Sequence, residues 1–233
     1  MIQKTKPKEF QCEVRHFQYI TPTVFEIDFM TSEPFPFVAG QFISIVIPGG
    51  AAGGRDLRRA YSIASEPESN SIKLCVKLVE GGPGTNYLNK LRPGDKFRGV
   101  APYGDFVYKT MGGRAACFLS TGTGIAPFRS IIRSRAFRES PPPKAWCLLG
   151  VREEDELLYE DEMSANKLIQ WQTTVSRPQN PDWKGFKGRI TDYVRSMESA
   201  IPWAETDFYL CGNGAMIDEM KALFQSKGVA KEA

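Results

Sequence analysis

Between Phe25 and Phe29 the chain alternates strictly, with Phe25, Ile27 and Phe29 set against Glu26 and Asp28. The same period returns where Ile72, Leu74, Val76 and Leu78 are interleaved with Lys73, Cys75 and Lys77. Successive side chains of a strand point to opposite faces, so each run predicts a β-strand with one face in a core. Further strands are expected over 10–18, 41–47, 58–65 and 96–100, punctuated by turns such as Pro48-Gly49-Gly50 and Pro93-Gly94-Asp95. One short helix is expected at 85–91. Six short strands within about a hundred residues predict a small antiparallel β-barrel.

The pattern changes near Met111-Gly112-Gly113-Arg114, which is read as a domain boundary between residues 1–110 and 111–233. Beyond it, apolar strand-like runs at 115–120, 145–150, 169–176 and 206–211 alternate with helix candidates at 127–137, 156–167, 191–199 and 214–227. Such alternation predicts an α/β domain with a parallel, Rossmann-like sheet covered by helices. Pro141-Pro142-Pro143 forms a stiff connector inside it.

Composition narrows the chemistry. With 30 basic and 27 acidic residues the net charge is +3, too small to argue for nucleic acid. No stretch is apolar for long enough to form a membrane-spanning helix, and the N-terminal residues lack the apolar core of a signal peptide. The five cysteines, Cys12, Cys75, Cys117, Cys147 and Cys211, contain no C-x-x-C pair, so a zinc ribbon or iron–sulfur cluster is not expected. A reduced, cytoplasmic protein fits this usage. The single histidine, His16, reads as a partly exposed strand residue rather than a catalytic base. Catalysis is therefore expected to come from something bound.

Three glycine-rich turns supply candidate binding loops. Strand 115–120 leads through Thr121-Gly122-Thr123-Gly124 and Ile125-Ala126-Pro127 into a helix, and Phe208–Cys211 leads through Gly212-Asn213-Gly214 into another. A helix N-terminus offers free N–H groups and a positive dipole end, which suit a pyrophosphate, although a tight β–α turn has the same form. In the first half, Gly81-Gly82-Pro83-Gly84-Thr85 opens the short helix. Arg59-Ala60-Tyr61-Ser62 sits on a strand, with Arg59 and Tyr61 on one face and Ala60 and Ser62 on the other. A guanidinium can hold a pyrophosphate, a phenol ring can flank a planar cofactor, and a hydroxyl can bond a ring nitrogen. Read alone, these residues would serve equally as an ordinary strand and hairpin loop.

Taken in order, the motifs resemble the ferredoxin–NADP(+) reductase superfamily. They are Ala39-Gly40-Gln41-Phe42, Arg59 to Ser62, Gly82 to Thr85, Pro93-Gly94-Asp95, Ala101-Pro102-Tyr103-Gly104-Asp105-Phe106 (Ala101 standing where the family has Gly), Gly122 to Pro127, Gly150-Val151-Arg152 and Cys211 to Met216. The resemblance implies a six-stranded flavin barrel followed by a nicotinamide-binding domain, with FAD and NAD(P)H as cofactor and substrate. It implies that Arg59, Ala60, Tyr61, Ser62, Val76, Lys77, Gly82, Gly84 and Thr85 hold FAD. Thr121, Gly122, Thr123, Gly124, Pro127, Arg152, Ser176, Arg177, Cys211 and Gly212 would hold the nucleotide. Ser62, near flavin N5, and Cys211, beside the nicotinamide C4, are the implied catalytic residues; a cysteine that merely packs remains the other reading of Cys211.

Val175-Ser176-Arg177, with Lys184 and Lys187 following, favours NADPH over NADH. The expected acceptor is a separate ferredoxin or flavodoxin, acidic enough to meet Arg55, Arg58, Arg92, Lys96 and Arg98. A reductase component of an oxygenase, a free-flavin reductase and a flavin-bearing subunit of a larger complex are the alternatives. The resemblance also implies five parallel strands, the last after the final helix; only four are legible, and that last strand is expected to be absent.

Overall fold

The computed structural model describes residues 6–109 and 113–230. The expected boundary at 110–111 lies outside the described residues. Two compact units emerge: one runs up to Tyr108 and adds Ala126–Arg135, and the other comprises Lys109–Ile125 with the chain from Ala136 onward.

The first unit is built on six antiparallel strands: β1 (Lys8–Thr21), β2 (Val24–Thr31), β3 (Phe42–Ile47), β4 (Leu57–Ser62), β5 (Ile72–Lys77) and β6 (Lys96–Tyr103). Their order is β4-β3-β6-β1-β2-β5, and an Ile63–Leu74 bridge joins the two ends into a barrel. The alternation read in the sequence fills its interior. Phe25, Ile27, Phe29 and Leu74 are fully buried beside Phe10, Ile43, Ile45 and Leu88. Burying each such side chain contributes roughly 1.5–3 kcal/mol, which fixes the register of every strand. Glu26 departs from the simple pattern. It lies on the opposite face yet is buried, with Lys73 Nζ at 3.3 Å and Gln18 Nε2 at 3.1 Å. A buried carboxylate persists only when paired in this way. Helix α1 (Pro83–Lys90) follows β5 and drives Leu88 into the core.

The second unit holds β7 (Ala115–Thr121), β8 (Ala145–Val151), β9 (Gln170–Val175), β10 (Phe186–Lys187) and β11 (Thr206–Cys211) in a parallel sheet ordered β10-β9-β8-β7-β11. All seven residues of β8 are buried, as expected of a strand covered on both faces. The sheet therefore has five strands rather than the four legible in the sequence. The extra one is the two-residue β10, too short to show any period, and it lies before the last helix rather than after it.

The helices are α2 (Ile125–Arg133), α3 (Arg135–Glu139), α4 (Glu160–Ser164), α5 (Ile190–Ser196) and α6 (Gly214–Ser226). Two expected helices are shorter than their patterns. The run over 127–137 divides at Ser134, whose hydroxyl donates to the Ile131 carbonyl at 2.7 Å. The run over 156–167 yields only α4, because Tyr159 adopts a left-handed conformation, φ 58°, directly ahead of it. No helix among the described residues is long and apolar enough to cross a membrane.

Candidate functional site

In the first unit the flavin motif and the glycine loop come together. β4 carries Arg59, Ala60, Tyr61 and Ser62, paired to Ile45, Ser44, Ile43 and Phe42 of β3. α1 begins at Pro83, which needs no N–H partner at that position. Gly82 serves as N-cap without a side-chain cap. Asn86 is the first residue to close the helix ladder, on the Gly82 carbonyl at 2.9 Å. The N–H groups of Gly84 and Thr85 make no hydrogen bond among the described residues.

A methyl on Gly84 would stand 2.5 Å from the Tyr61 hydroxyl and 2.9 Å from Arg59 Cγ. The helix start is thus pressed directly against those two side chains. Arg59 is exposed and donates from Nη1 to the Arg58 carbonyl at 2.9 Å. Among the described residues its guanidinium meets no carboxylate. Free N–H groups, a helix dipole end and a guanidinium that meets no carboxylate among the described residues form a donor set that fits a pyrophosphate. Burial pushes the Tyr61 phenol up to about 12, so it stays protonated. The Ser62 hydroxyl is half-buried and has no partner among the described residues.

Other predicted flavin contacts have different surroundings. Val76 is 1% exposed and belongs to the barrel core, whereas Lys77, next to it, is exposed. Ala60 is exposed. The Thr85 hydroxyl accepts from Val79 N at 3.2 Å and lies within 3.3 Å of the Val79 and Gly82 carbonyls. It staples the glycine loop, and the backbone N–H is what this residue leaves free.

One support of β4 had no signal in the motif reading. α2 turns Arg129, Ser130 and Arg133 toward the segment that leaves the strand. Arg129 Nη1 donates to the Ala64 carbonyl at 3.0 Å, Ser130 Oγ to that of Ser65 at 2.6 Å, and Arg133 grips both oxygens of Glu66 at 2.7 and 3.0 Å. Arg133 holds the Glu66 carboxyl below the usual carboxylate range. Its stabilisation is therefore full above the unfolded carboxyl's pKa and fades as the pH falls through the lowered folded value. Glu66→Gln should cost about 1 kcal/mol at neutral pH, and urea titrations should show the difference from the parent vanishing in acid.

In the second unit, β7 and β11 are neighbours, with Ser120 opposite Cys211. They flank the point where strand order reverses, the usual location of a nucleotide crevice. Thr121 Oγ1 accepts from Asn213 N at 2.8 Å and ties the two loops. Gly122 takes φ 51°, and the 3-10 turn Gly122–Gly124 starts without a side-chain cap. A methyl on Gly124 would lie 2.7 Å from the Cys211 carbonyl carbon and 2.9 Å from the Gly212 Cα. Thr123 is half-exposed in the turn, and Pro127 follows within α2. Cys211 is half-buried, and burial raises its thiol, which argues against a resting thiolate.

The remaining nucleotide candidates meet at the ends of β8, β9 and β10. Arg177 N donates to the Arg152 carbonyl at 2.7 Å, and Ser176 N to that of Val151 at 3.1 Å. Lys187 stands opposite Val175. Arg152, Arg177 and Lys187 are exposed, and among the described residues none pairs with a carboxylate. A cluster of unneutralised cations fits a phosphate dianion. Lys184 lies 3.9 Å from Asp182.

The expected basic rim of the barrel is more divided than its composition implied. Arg98 pairs with Asp56 and, at 3.2 Å, with Glu9. Arg92 donates to the Asn89 and Leu91 carbonyls and lies over the Phe17 ring. Arg55, Arg58 and Lys96 remain exposed; Arg58 acts on the Asp56 carboxylate, whereas Arg55 and Lys96 meet no carboxylate among the described residues.

Comparison with known proteins agrees with this division of labour. Residues 11–108 match the oxidoreductase FAD-binding domain family, and residues 118–222 the oxidoreductase NAD-binding domain family. Ferredoxin–NADP reductase B of Sorangium cellulosum (strain So ce56) is 32% identical over 225 residues, covering 92% of this chain and 90% of the relative. The phenol 2-monooxygenase reductase component DmpP of Pseudomonas sp. (strain CF600) is 29% identical, with 85% of this chain matching 56% of the longer protein. A crystal structure of a Neisseria gonorrhoeae ferredoxin NADP+ reductase with bound FAD and NADP shares the fold, with a TM-score of 0.84 at 24% identity. The match covers 99% of this chain and 95% of that one. An oxidoreductase with an FAD-binding barrel and an NAD-binding parallel sheet, the chain belongs to the ferredoxin–NADP reductase superfamily.

Proposed function

We propose that the protein takes hydride from NADPH in preference to NADH and delivers electrons, through FAD, to a separate ferredoxin or flavodoxin in the cytoplasm. Bound FAD would supply the hydride-accepting and electron-releasing chemistry. The protein's part is to hold, orient and exclude. Arg59 and the Gly84 and Thr85 N–H groups bind the cofactor pyrophosphate, and Tyr61 flanks the flavin ring. Ser62 Oγ donates toward N5. Gly122 to Gly124 receive the nucleotide pyrophosphate, and Cys211, kept as a thiol by burial, packs beside the nicotinamide.

The observation that carries the NADPH preference is the unpaired trio Arg152, Arg177 and Lys187, with Ser176 between the two arginines' strand ends. The ferredoxin reading is supported by the 32% identity to a relative of nearly the same length. Arg55, Arg58 and Lys96 are the cations left to meet an acidic partner. The absence of a disulfide among the described residues suits a reducing compartment. A reductase component of an oxygenase is the second reading, favoured by the likeness to the phenol 2-monooxygenase component.

Anaerobic titration of the FAD-loaded protein with NADPH and NADH, followed by ferredoxin-dependent cytochrome c reduction, tests both steps. Arg177→Ala should raise KM for NADPH about tenfold or more and leave that for NADH nearly unchanged, because a lost charged hydrogen bond costs about 1.5–3 kcal/mol. Equal KM values in the parent protein would refute the nucleotide preference. Bleaching by NADPH without turnover of any ferredoxin or flavodoxin would favour the oxygenase-component reading.

A further inference from the structure

Between Arg152 and α4 the chain reads Glu153-Glu154-Asp155-Glu156, four acidic residues directly after a cation assigned to a phosphate. Left free, these carboxylates would neutralise Arg152 and Arg177 or repel the nucleotide. Two of them are instead occupied by backbone. Glu156 Oε2 accepts from Arg152 N at 3.0 Å. Glu154 reaches further, with Oε2 accepting from Gln179 N at 2.9 Å and Oε1 from Asn180 N at 2.6 Å.

These two consecutive amides belong to the loop that immediately follows Ser176-Arg177. The same loop is closed by Gln179 Nε2 on the Arg177 carbonyl at 3.3 Å, and by Asp182 N on Asn180 Oδ1 at 2.9 Å. A carboxylate satisfied by two N–H donors keeps its charge, and these donors hold the Glu154 carboxyl below the usual carboxylate range. Its charge is then directed at the backbone and not at the neighbouring guanidinium groups. Arg152 and Arg177 stand side by side through their 2.7 Å backbone bond, and mutual repulsion works to spread them.

We propose that Glu154 is a positioning residue for nucleotide selection: by clamping the Gln179 and Asn180 amides it holds Arg177 beside Arg152, ready for the 2′-phosphate of NADPH. The inference rests on the NADPH reading and names the residue that enforces it. Glu154 touches neither nucleotide nor flavin; it acts through the loop. A carboxamide offers one acceptor oxygen and no charge where the carboxylate offers two oxygens, so Glu154→Gln takes the present partner from one of the two amides. Glu154→Asp keeps both acceptors on a shorter stem.

The experiment is equilibrium titration of parent, E154Q and E154D proteins, FAD-loaded, with NADP+ and NAD+, together with amide hydrogen exchange. E154Q should weaken NADP+ binding about tenfold while changing NAD+ binding less than about twofold, as expected when support for a charged ligand group is loosened. Exchange at Gln179 or Asn180 should quicken, and E154D should recover part of the NADP+ affinity. The parent's ratio of NADP+ to NAD+ affinity tests the NADPH reading, whereas the change in that ratio in E154Q tests the clamp. Loss of affinity for both nucleotides in equal proportion, or unchanged exchange at both amides, would overturn the proposal.

Discussion

Arg59→Ala is expected to lower FAD affinity by about ten- to a hundredfold while leaving the barrel folded. The side chain is exposed, so its removal opens no cavity in the core of Phe10, Phe25, Phe29, Ile43 and Ile45. What goes is a guanidinium whose stem packs against Gly84, and a hydrogen bond to a charged group is worth about 1.5–3 kcal/mol. Every 1.4 kcal/mol is about a factor of ten in affinity. Arg59→Lys should restore only part of the loss, since an ammonium cannot span a pyrophosphate with a planar fork. Fluorescence titration of the apoprotein with FAD reads the affinity, and circular dichroism reads the fold. Unchanged FAD affinity in Arg59→Ala would remove Arg59 from the cofactor site and leave the α1 N–H groups as the main anchor.

The second large effect should come from Gly124→Ala. The added methyl would press on the Cys211 carbonyl and the Gly212 Cα, which are backbone and cannot swing aside as a side-chain tip can. Either the loop or the β11 turn must move. A displacement of about 1 Å at a site that aligns reacting atoms can cost about a hundredfold in rate. NADPH-dependent bleaching of the flavin should fall by that order in stopped-flow measurements, while FAD content stays at the parent level. Gly122 offers a contrasting case. A methyl there would meet nothing within 4 Å, and the penalty of substitution arises from φ 51° alone. Gly122→Ala should accordingly be the milder of the two.

The legible part of the fold was periodic. Phe25, Ile27 and Phe29 alternate because one barrel face is dry, and the all-buried β8 is apolar because both its faces are. Elements without a period, or with a misleading one, were misread: β10 is two residues long, and the apolar pattern over 156–167 ignores the left-handed turn at Tyr159. The site divides in the same way. Arg59, Tyr61, Ser62, Gly84 and Gly124 stand out only through the order of the motifs and the resemblance they carry, since each alone would serve in an ordinary strand or turn. Nothing in the order of letters marked Arg129, Ser130 and Arg133 as supports for the strand end, or Glu154 as a clamp on Gln179 and Asn180.

What the sequence determined by itself was therefore local and repetitive: a strand-rich first half, an alternating α/β second half, and the glycine turns in their order. The tertiary structure decided the rest. It placed the start of α1 on Arg59 and Tyr61, turned the Thr85 hydroxyl into its own loop, and spent Arg98 on Asp56 and Glu9. Among the described residues it also left Arg152, Arg177 and Lys187 without a carboxylate partner. The physical reason is that period and turn chemistry act between near neighbours. Which donor meets which acceptor depends on residues brought together from distant positions, and a linear pattern holds no record of those distances.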